Sequence, residues 1–294
     1  MVPIDQIAPP KDATPDMPPD LTANDDLARW LLAFAGATAI SIAAWRARSL
    51  STSGMIAAAV LGTVIVGAAG WWAGALLVAF FVTSSDLSRL GQPAQETTLQ
   101  RGSRRDAVQV AANGGIALVC AIAYGVTGDG PWVAGLAGSL AAANADTWST
   151  EIGGTSPTRP RLITTGERVP AGTSGAVSRR GLAGAIGGAL LVAALAGIGV
   201  ATGWLDLPGG PVASIIAVTL AGLAGSLVDS LLGATVQDRR WCDSCNKETE
   251  RKVHRCGTTT RSTGGLSWVT NDIVNLACIT SGAILAAILT TMLA

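Results

Sequence analysis

The basic residues of this chain keep to alternate gaps between apolar runs, and that pattern restricts the fold more than any single motif. Runs long enough to cross about 30 Å of hydrocarbon, which takes roughly 20 helical residues, begin near Ala28 and recur to the C-terminus. Eight spans are placed: Ala28 to Trp45, Ser53 to Ala69, Trp71 to Thr83, Asp106 to Val126, Pro131 to Thr150, Gly181 to Gly203, Val212 to Val236 and Ser267 to Met292. The second and third are short, so Trp71 and Trp72 mark either an interfacial turn between two crossings or a re-entrant hairpin.

The odd-numbered gaps hold Arg46 and Arg48, then Arg89, Arg101, Arg104 and Arg105, then Arg159, Arg161, Arg168, Arg179 and Arg180, then Arg239, Arg240, Lys247, Arg251, Lys252, Arg255 and Arg261. Of the 20 Lys and Arg, only Lys11 and Arg29 lie elsewhere. Because cytoplasmic loops carry the excess of Lys and Arg, these gaps are expected in the cytoplasm and both termini outside, in a multi-pass protein of the cell (inner) membrane.

Only 14% of the residues are charged, well short of the soluble quarter. The 36 Gly and abundant Ala let helix backbones approach closely in lipid, where dispersion packing replaces the hydrophobic drive. The fold class is therefore all-α, a Gly/Ala-rich transmembrane helix bundle with the lipid bilayer as its solvent. Net charge is zero, which leaves no electrostatic basis for nucleic-acid binding. Residues 1–27 are rich in Pro and Asp and read as a disordered or extended tail. This stretch is acidic where a secretory leader is cationic, so the first apolar helix is expected to remain. The transmembrane domain covers 28–294 and includes a Cys/His loop at 237–266.

Ionisable groups inside spans are costly and are functional candidates by default. Asp146 and Glu151 lie in NADTWSTEIG at the basic end of the fifth span, Asp229 in GSLVDSLLGA near the end of the seventh, and Asp272 in NDIVN at the start of the eighth. Asn144, Asn271 and Asn275 accompany them, and Asp106, Gln109 and Asn113 form a polar stripe on the fourth span. Taken singly, each carboxylate could be a hydrated rim residue paired with a nearby Arg. Their gathering at one rim instead suits Mg²⁺, which takes one or two carboxylates plus substrate phosphates.

The loop after the fifth span combines Arg159, Arg161 and Arg168 with PAGTSG before a helix. Backbone N–H groups around Gly172 and Gly175, the hydroxyls of Thr173, Ser174 and Ser178, and the following helix start make a phosphate cradle in outline; the other reading is an ordinary Gly/Ser turn. Arg105 adds a further phosphate clamp. The last basic loop carries Cys242 and Cys245, then His254 and Cys256, with His254 the only His in the chain. Cys-x2-Cys followed by His-x-Cys matches a closed structural Zn²⁺ site, with free thiols or a redox pair as the alternative. Cys120 and Cys278 lie in apolar spans as small core residues.

From about Ser53 onwards the chain resembles the membrane proteins grouped as domain of unknown function 92, which include transmembrane protein 19 and the plant phytyl-phosphate kinase of vitamin E synthesis. The segments that carry the resemblance are FFVTSS, RRDAVQVAANGG, NADTWSTEIG, VPAGTSGAVSRRG, VDSLLGATVQ, the Cys/His loop and NDIVN. The acidic Pro-rich tail lies outside the pattern. What the resemblance to the plant members implies is phosphorylation of a prenyl monophosphate by a nucleoside triphosphate. The residues fit: a phosphate monoester is already a nucleophile near neutral pH, and what it needs is charge screening and in-line positioning. No Walker motif or protein-kinase signature appears. The expectation is a membrane kinase with Asp146, Glu151, Asp229 and Asp272 as Mg²⁺ ligands. The rival is a transporter or carrier of an ion or phosphorylated lipid, which would place its site near the midplane between repeated halves.

Overall fold

The computed structural model describes residues 23–95, 104–249, 252–254 and 256–294. The acidic tail lies outside these residues up to position 22, as do Arg101, Arg251 and Arg255 of the basic loops. Seven helices form the bundle: α1 Ala23–Arg46, α2 Thr52–Gln95, α3 Ala107–Thr127, α4 Gly130–Gly154, α5 Arg179–Ala201, α6 Gly210–Thr235 and α7 Asn271–Met292. The multi-pass helical reading holds, and six of these helices are long and apolar enough to cross a membrane.

The second and third spans are the two limbs of α2, which breaks at Gly70 (φ 84°, ψ 175°). A Cβ placed on Gly62 would lie 3.9 Å from Leu77, whereas fifteen residues of straight helix would hold such positions about 22 Å apart. The limbs are therefore antiparallel, folded back across one residue. That backbone region is essentially reserved for Gly. Beyond the turn, Trp72 Nε1 donates to Leu195 O of α5 at 2.8 Å and fixes the reversal to the bundle. Gly70→Ala is expected to lower unfolding stability by about 1–3 kcal/mol, read as a fall in Tm of the detergent-purified protein.

Helix ends differ from the apolar runs where polar residues extend or cap them. The second limb of α2 continues past Thr83 as a polar helix, with Arg89 Nη1 3.2 Å from Asp86 one turn back. Asp106 and Gln109 form a capping box on α3: Asp106 Oδ1 accepts from Gln109 N (3.0 Å) and Gln109 Oε1 from Asp106 N (3.1 Å). Part of the polar stripe thus satisfies orphan backbone groups at the helix start. Next along it, Asn113 Nδ2 donates to Gln109 O at 2.9 Å.

α4 is the centre of the bundle. Every residue from Val133 to Ala145 is buried, and α2, α3, α5, α6 and α7 pack around it. Ala and Gly make this possible: a Cβ on Gly138 would meet Gly282 O at 2.4 Å, and one on Gly188 would meet Asn144 O at 2.8 Å. The long loops carry short strands that the sequence reading did not anticipate. β1 Arg161–Leu162 and β2 Ala176–Val177 pair antiparallel between α4 and α5. β3 Arg239–Cys242, β4 Lys247–Thr249 and β5 Arg261–Gly264 form a three-stranded sheet, in the order β4-β3-β5, between α6 and α7.

Candidate functional site

At the basic end of the bundle, α4, α5, α6, α7 and the loop after α4 enclose a cavity of about 180 Å³. Asp146 lines it from α4 and Asp229 from α6, with Ser149, Thr150, Ser230 and Asn271 beside them, and among the described residues no Lys or Arg is in its wall. Both carboxylates act electrostatically on the same residue, Cys278 of α7. Gly172, Thr173, Ser174 and Gly175 form the lid on the loop side.

That lid is held tightly. Ser174 Oγ donates to Gln237 Oε1 at 3.0 Å, and a Cβ on Gly175 (φ 75°) would lie 2.4 Å from Ala234 of α6. Gly172 also has a positive φ of 86°, so two glycines set a path that a side chain would strain. Ser178 caps α5, its Oγ accepting from Gly181 N at 3.0 Å. Ser178 and Gly181 both line the cavity, so the positive end of a helix adjoins the two carboxylates.

The other sequence candidates are placed around this cavity. Asn144 is fully buried; its Oδ1 accepts from Thr83 (3.1 Å) and Ser84 (3.0 Å) of α2, and its Nδ2 donates to Gly188 O of α5 at 2.9 Å. The structure gives Asn144 a bridging role among three helices. Glu151 faces the opposite side of α4, where it bonds Ser88 and attracts Arg105. Asp272 is buried in the first turn of α7 next to Asn271, where a carboxylate complements the helix dipole. Neither Asp272 nor Asn275 lines the cavity. Arg159, Arg161 and Arg168 are exposed on the framing loop, with Arg161 Nη1 bonded to Gly166 O at 2.7 Å. Arg105 stands apart from them against Phe80 and Phe81, its guanidinium 6.0 and 5.9 Å from the ring centroids. Burial draws its pKa down to about 10 against the opposing pull of Glu151, so it stays charged at neutral pH.

Ser149, Thr150, Ser230 and Gln237 line the cavity and were missed. Three of them lie within four residues of Asp146 or Asp229 in sequence, and that proximity was the available signal.

The Cys/His loop folds into the three-stranded sheet, with the ligand atoms of Cys242, Cys245, His254 and Cys256 all within 4.8 Å of one another. Cys242 is buried at the end of β3. Asn246, with φ 52°, turns the chain after Cys245. Cys256 Sγ lies 3.6 Å from Cys242 Sγ and 3.1 Å from His254 Nδ1. Hydrogen bonds from Thr258 and His254 hold the Cys256 thiol down to about 5, while bonding to Cys256 pushes Cys245 up to about 11. Three sulfurs and an imidazole nitrogen gathered this closely form a donor set that fits a single soft or borderline cation. The sheet has its own support: Arg240 Nη1 is 3.2 Å from the buried Asp238, and Arg240 Nε and Nη2 both bond Thr260 at 2.9 Å.

Comparison with known proteins gives a consistent family. Residues 35–283 match the family model described as integral membrane protein DUF92. Protein PGR of Arabidopsis thaliana is 35% identical over 82% of this chain and 88% of its own length. Protein VTE6, chloroplastic, of the same plant is 30% identical over 81% of this chain and 64% of its own. An uncharacterized membrane protein of Methanocaldococcus jannaschii is 33% identical over 64% of this chain and 75% of its own. No solved structure matches. Match and architecture agree, and the chain belongs to the DUF92 family of integral membrane proteins.

Proposed function

We propose that the chain is a membrane phosphotransferase that converts a prenyl monophosphate to its diphosphate at the expense of a nucleoside triphosphate. One observation carries the reading: a rim cavity with two carboxylates, no basic side chain, a Gly/hydroxyl lid and a helix N-terminus. A wall of that charge accepts phosphates only together with a cation. Asp146 and Asp229 would hold Mg²⁺, which supplies charge screening between donor and acceptor when bound. The cavity has room for phosphate groups but is small for a whole nucleoside, which then lies outward on the loop bearing Arg159, Arg161 and Arg168. In the transfer, a dianionic lipid phosphate oxygen attacks the γ-phosphorus and the bond to the β-phosphate oxygen breaks. The lipid diphosphate and a nucleoside diphosphate leave. No general base is required. The likeness to the plant phytyl-phosphate kinase supports the acceptor.

The test is an assay of purified protein with Mg²⁺, labelled nucleoside triphosphate and prenyl monophosphates. Diphosphate should form, and the free alcohol should remain unphosphorylated. Nucleotide-independent movement of prenyl phosphate across liposomes, without diphosphate, would instead favour a carrier. For the Cys/His cluster we propose Zn²⁺ in a structural role, because sulfur and imidazole donors in a closed set of four suit it. We also place the basic rim in the cytoplasm, with both termini outside the inner membrane. Cysteines introduced at the exposed Thr165 and Thr202 test this. Above the labelling of the parent chain, impermeant reagent on intact cells should reach Thr202→Cys and spare Thr165→Cys; labelling of both from outside would reverse the assignment.

A further inference from the structure

On the other side of α4 from the two-carboxylate cavity, α1, α2 and α3 leave a groove of about 340 Å³. Its walls are almost wholly apolar, with Ala37, Ile40, Leu61, Val66, Leu77 and Phe80 among them. On α2 it runs from Phe81 near Arg105 to Trp71 beside the hairpin turn, about 15 Å by helix rise. Both α1 and α3 pack on α2, so the groove is the gap between two flanking helices, and Ile40, Trp71 and Val78 in its wall are exposed.

A second cavity, of about 200 Å³, adjoins the basic end of this groove, and Arg105 lines both. Arg48, Arg89, Ser49, Ser85 and Ser88 complete the second cavity. The backbone builds this cluster. Arg105 N donates to Ser49 O at 2.8 Å and Ser51 N to Arg105 O at 3.0 Å, stitching the end of α1 to the start of α3. Arg89 Nη2 then reaches Ser49 Oγ at 2.5 Å and Ala47 O at 3.2 Å. Arg48 ends α1 with φ 61°, a left-handed position where Gly is usual.

A further observation points to a ligand. Ser85 is 8% exposed, lines the basic cavity, and its Oγ has no hydrogen-bond partner. A buried hydroxyl left unsatisfied costs about 1–3 kcal/mol, and an anion's oxygen among three guanidinium groups would accept from it.

We infer that the groove and its basic cavity seat a lipid with one apolar chain and a terminal phosphate monoester, the chain lying along α2 and the phosphate among Arg48, Arg89, Arg105 and Ser85. One slot between two flanking helices takes one chain, and the forked N–H donors of three guanidinium groups, of which Arg89 is also paired with Asp86, suit the three terminal oxygens of a monoester better than the two free oxygens of a diester. The site rests on the reading above for its purpose, as a holding site from which the lipid phosphate must move before transfer because α4 separates it from the two-carboxylate cavity, although the binding itself requires no nucleotide. Glu151 bonds Ser88 and acts electrostatically on Arg105, while Asp146, on the same helix, faces the other cavity.

The test measures nucleotide-free binding of geranylgeranyl monophosphate to the full chain in detergent, against geranylgeraniol, inorganic phosphate and dioleoyl phosphatidic acid. The monophosphate should bind at least about tenfold more tightly than the alcohol, the worth of a charge-assisted hydrogen bond. Inorganic phosphate should not displace it. Gly36→Leu fills the groove from a position with nothing within 4 Å of an added Cβ; it should weaken both lipids while leaving Tm unchanged. Arg48→Gln and Ser85→Ala should weaken the monophosphate and leave the alcohol as it was. Unaltered monophosphate binding in Gly36→Leu and Arg48→Gln, or equal retention of the two-chain phosphatidic acid, would overturn the site. If binding follows these variants but the parent shows no turnover with nucleotide, the groove stands and the kinase reading falls. If the parent turns over and both variants keep its KM and its binding, the groove falls and the kinase reading stands.

Discussion

Asp146→Asn and Asp229→Asn are each expected to lower phosphoryl transfer by on the order of 10²-fold or more, the scale on which lost metal ligands and preorganised charges act. Both side chains line the same cavity without a basic neighbour in its wall. The amide keeps the shape of the carboxyl but removes the charge that holds a hard cation. Stability should move the other way. Two carboxylates at one cavity repel and are poorly hydrated, so Asn at either position should leave Tm unchanged or raise it, the pattern of a site that trades stability for function. Helical content by circular dichroism should be unaltered. The measurement that decides is kcat for each variant beside Tm in the same detergent. Near-normal kcat in both variants would sink the metal site, and a large fall in Tm would make the pair structural.

Removal of the Zn²⁺ proposed for the Cys/His loop should have the largest effect on stability. In isolated zinc fingers the metal contributes about 10–16 kcal/mol, which is folding free energy. Here the sheet has independent support from Arg240, Asp238, Thr260 and Ser262, so only part of that scale should appear. Purified protein is expected to carry about one Zn²⁺ per chain. Cys242→Ser, which places a hydroxyl at a fully buried ligand position, should lose the metal and open the segment between β3 and β5 to proteolysis. The bundle should persist, because α6 and α7 pack on each other and on α4 through their length. Elemental analysis and limited proteolysis read the two effects separately. Metal-free protein with the parent's protease resistance would assign the four ligands to another role.

The bundle was legible because lipid imposes a coarse rule: apolar runs must span, and basic loops must alternate. Even the Gly70 reversal was visible as a break between Ala69 and Trp71, although only the backbone angles distinguish a tight antiparallel hairpin from a kink. Asp146, Asp229 and the Gly172–Gly175 loop stood out in the sequence because their chemistry is scarce in such a chain, and they line one cavity. Facing was harder to read. Asp146 and Glu151 are five residues apart, about 140° around a helix of 3.6 residues per turn, and they serve opposite sides of α4. Asn144, a phosphate-binding candidate by its place beside Asp146, bonds Thr83, Ser84 and Gly188 across three helices, partners that its position in the sequence does not reveal. The short strands gave no signal: sequences such as KET and RSTG alternate nothing, and pairing with Arg240 and Trp241 creates them.

The central position of α4 also bears on how the chain is made. It is absent from the six helices apolar enough to cross a membrane by themselves, and it carries Asn144, Asp146 and Glu151 in its second half. During synthesis α4 emerges before α5, α6 and α7, the helices that will cover most of its surface. A nascent chain halted after Gly154 would already have α2 partners for Asn144 and Glu151 but none of the α5, α6 and α7 surroundings of Asp146. Completing the surroundings of Asp146 therefore waits on the C-terminal half of the protein.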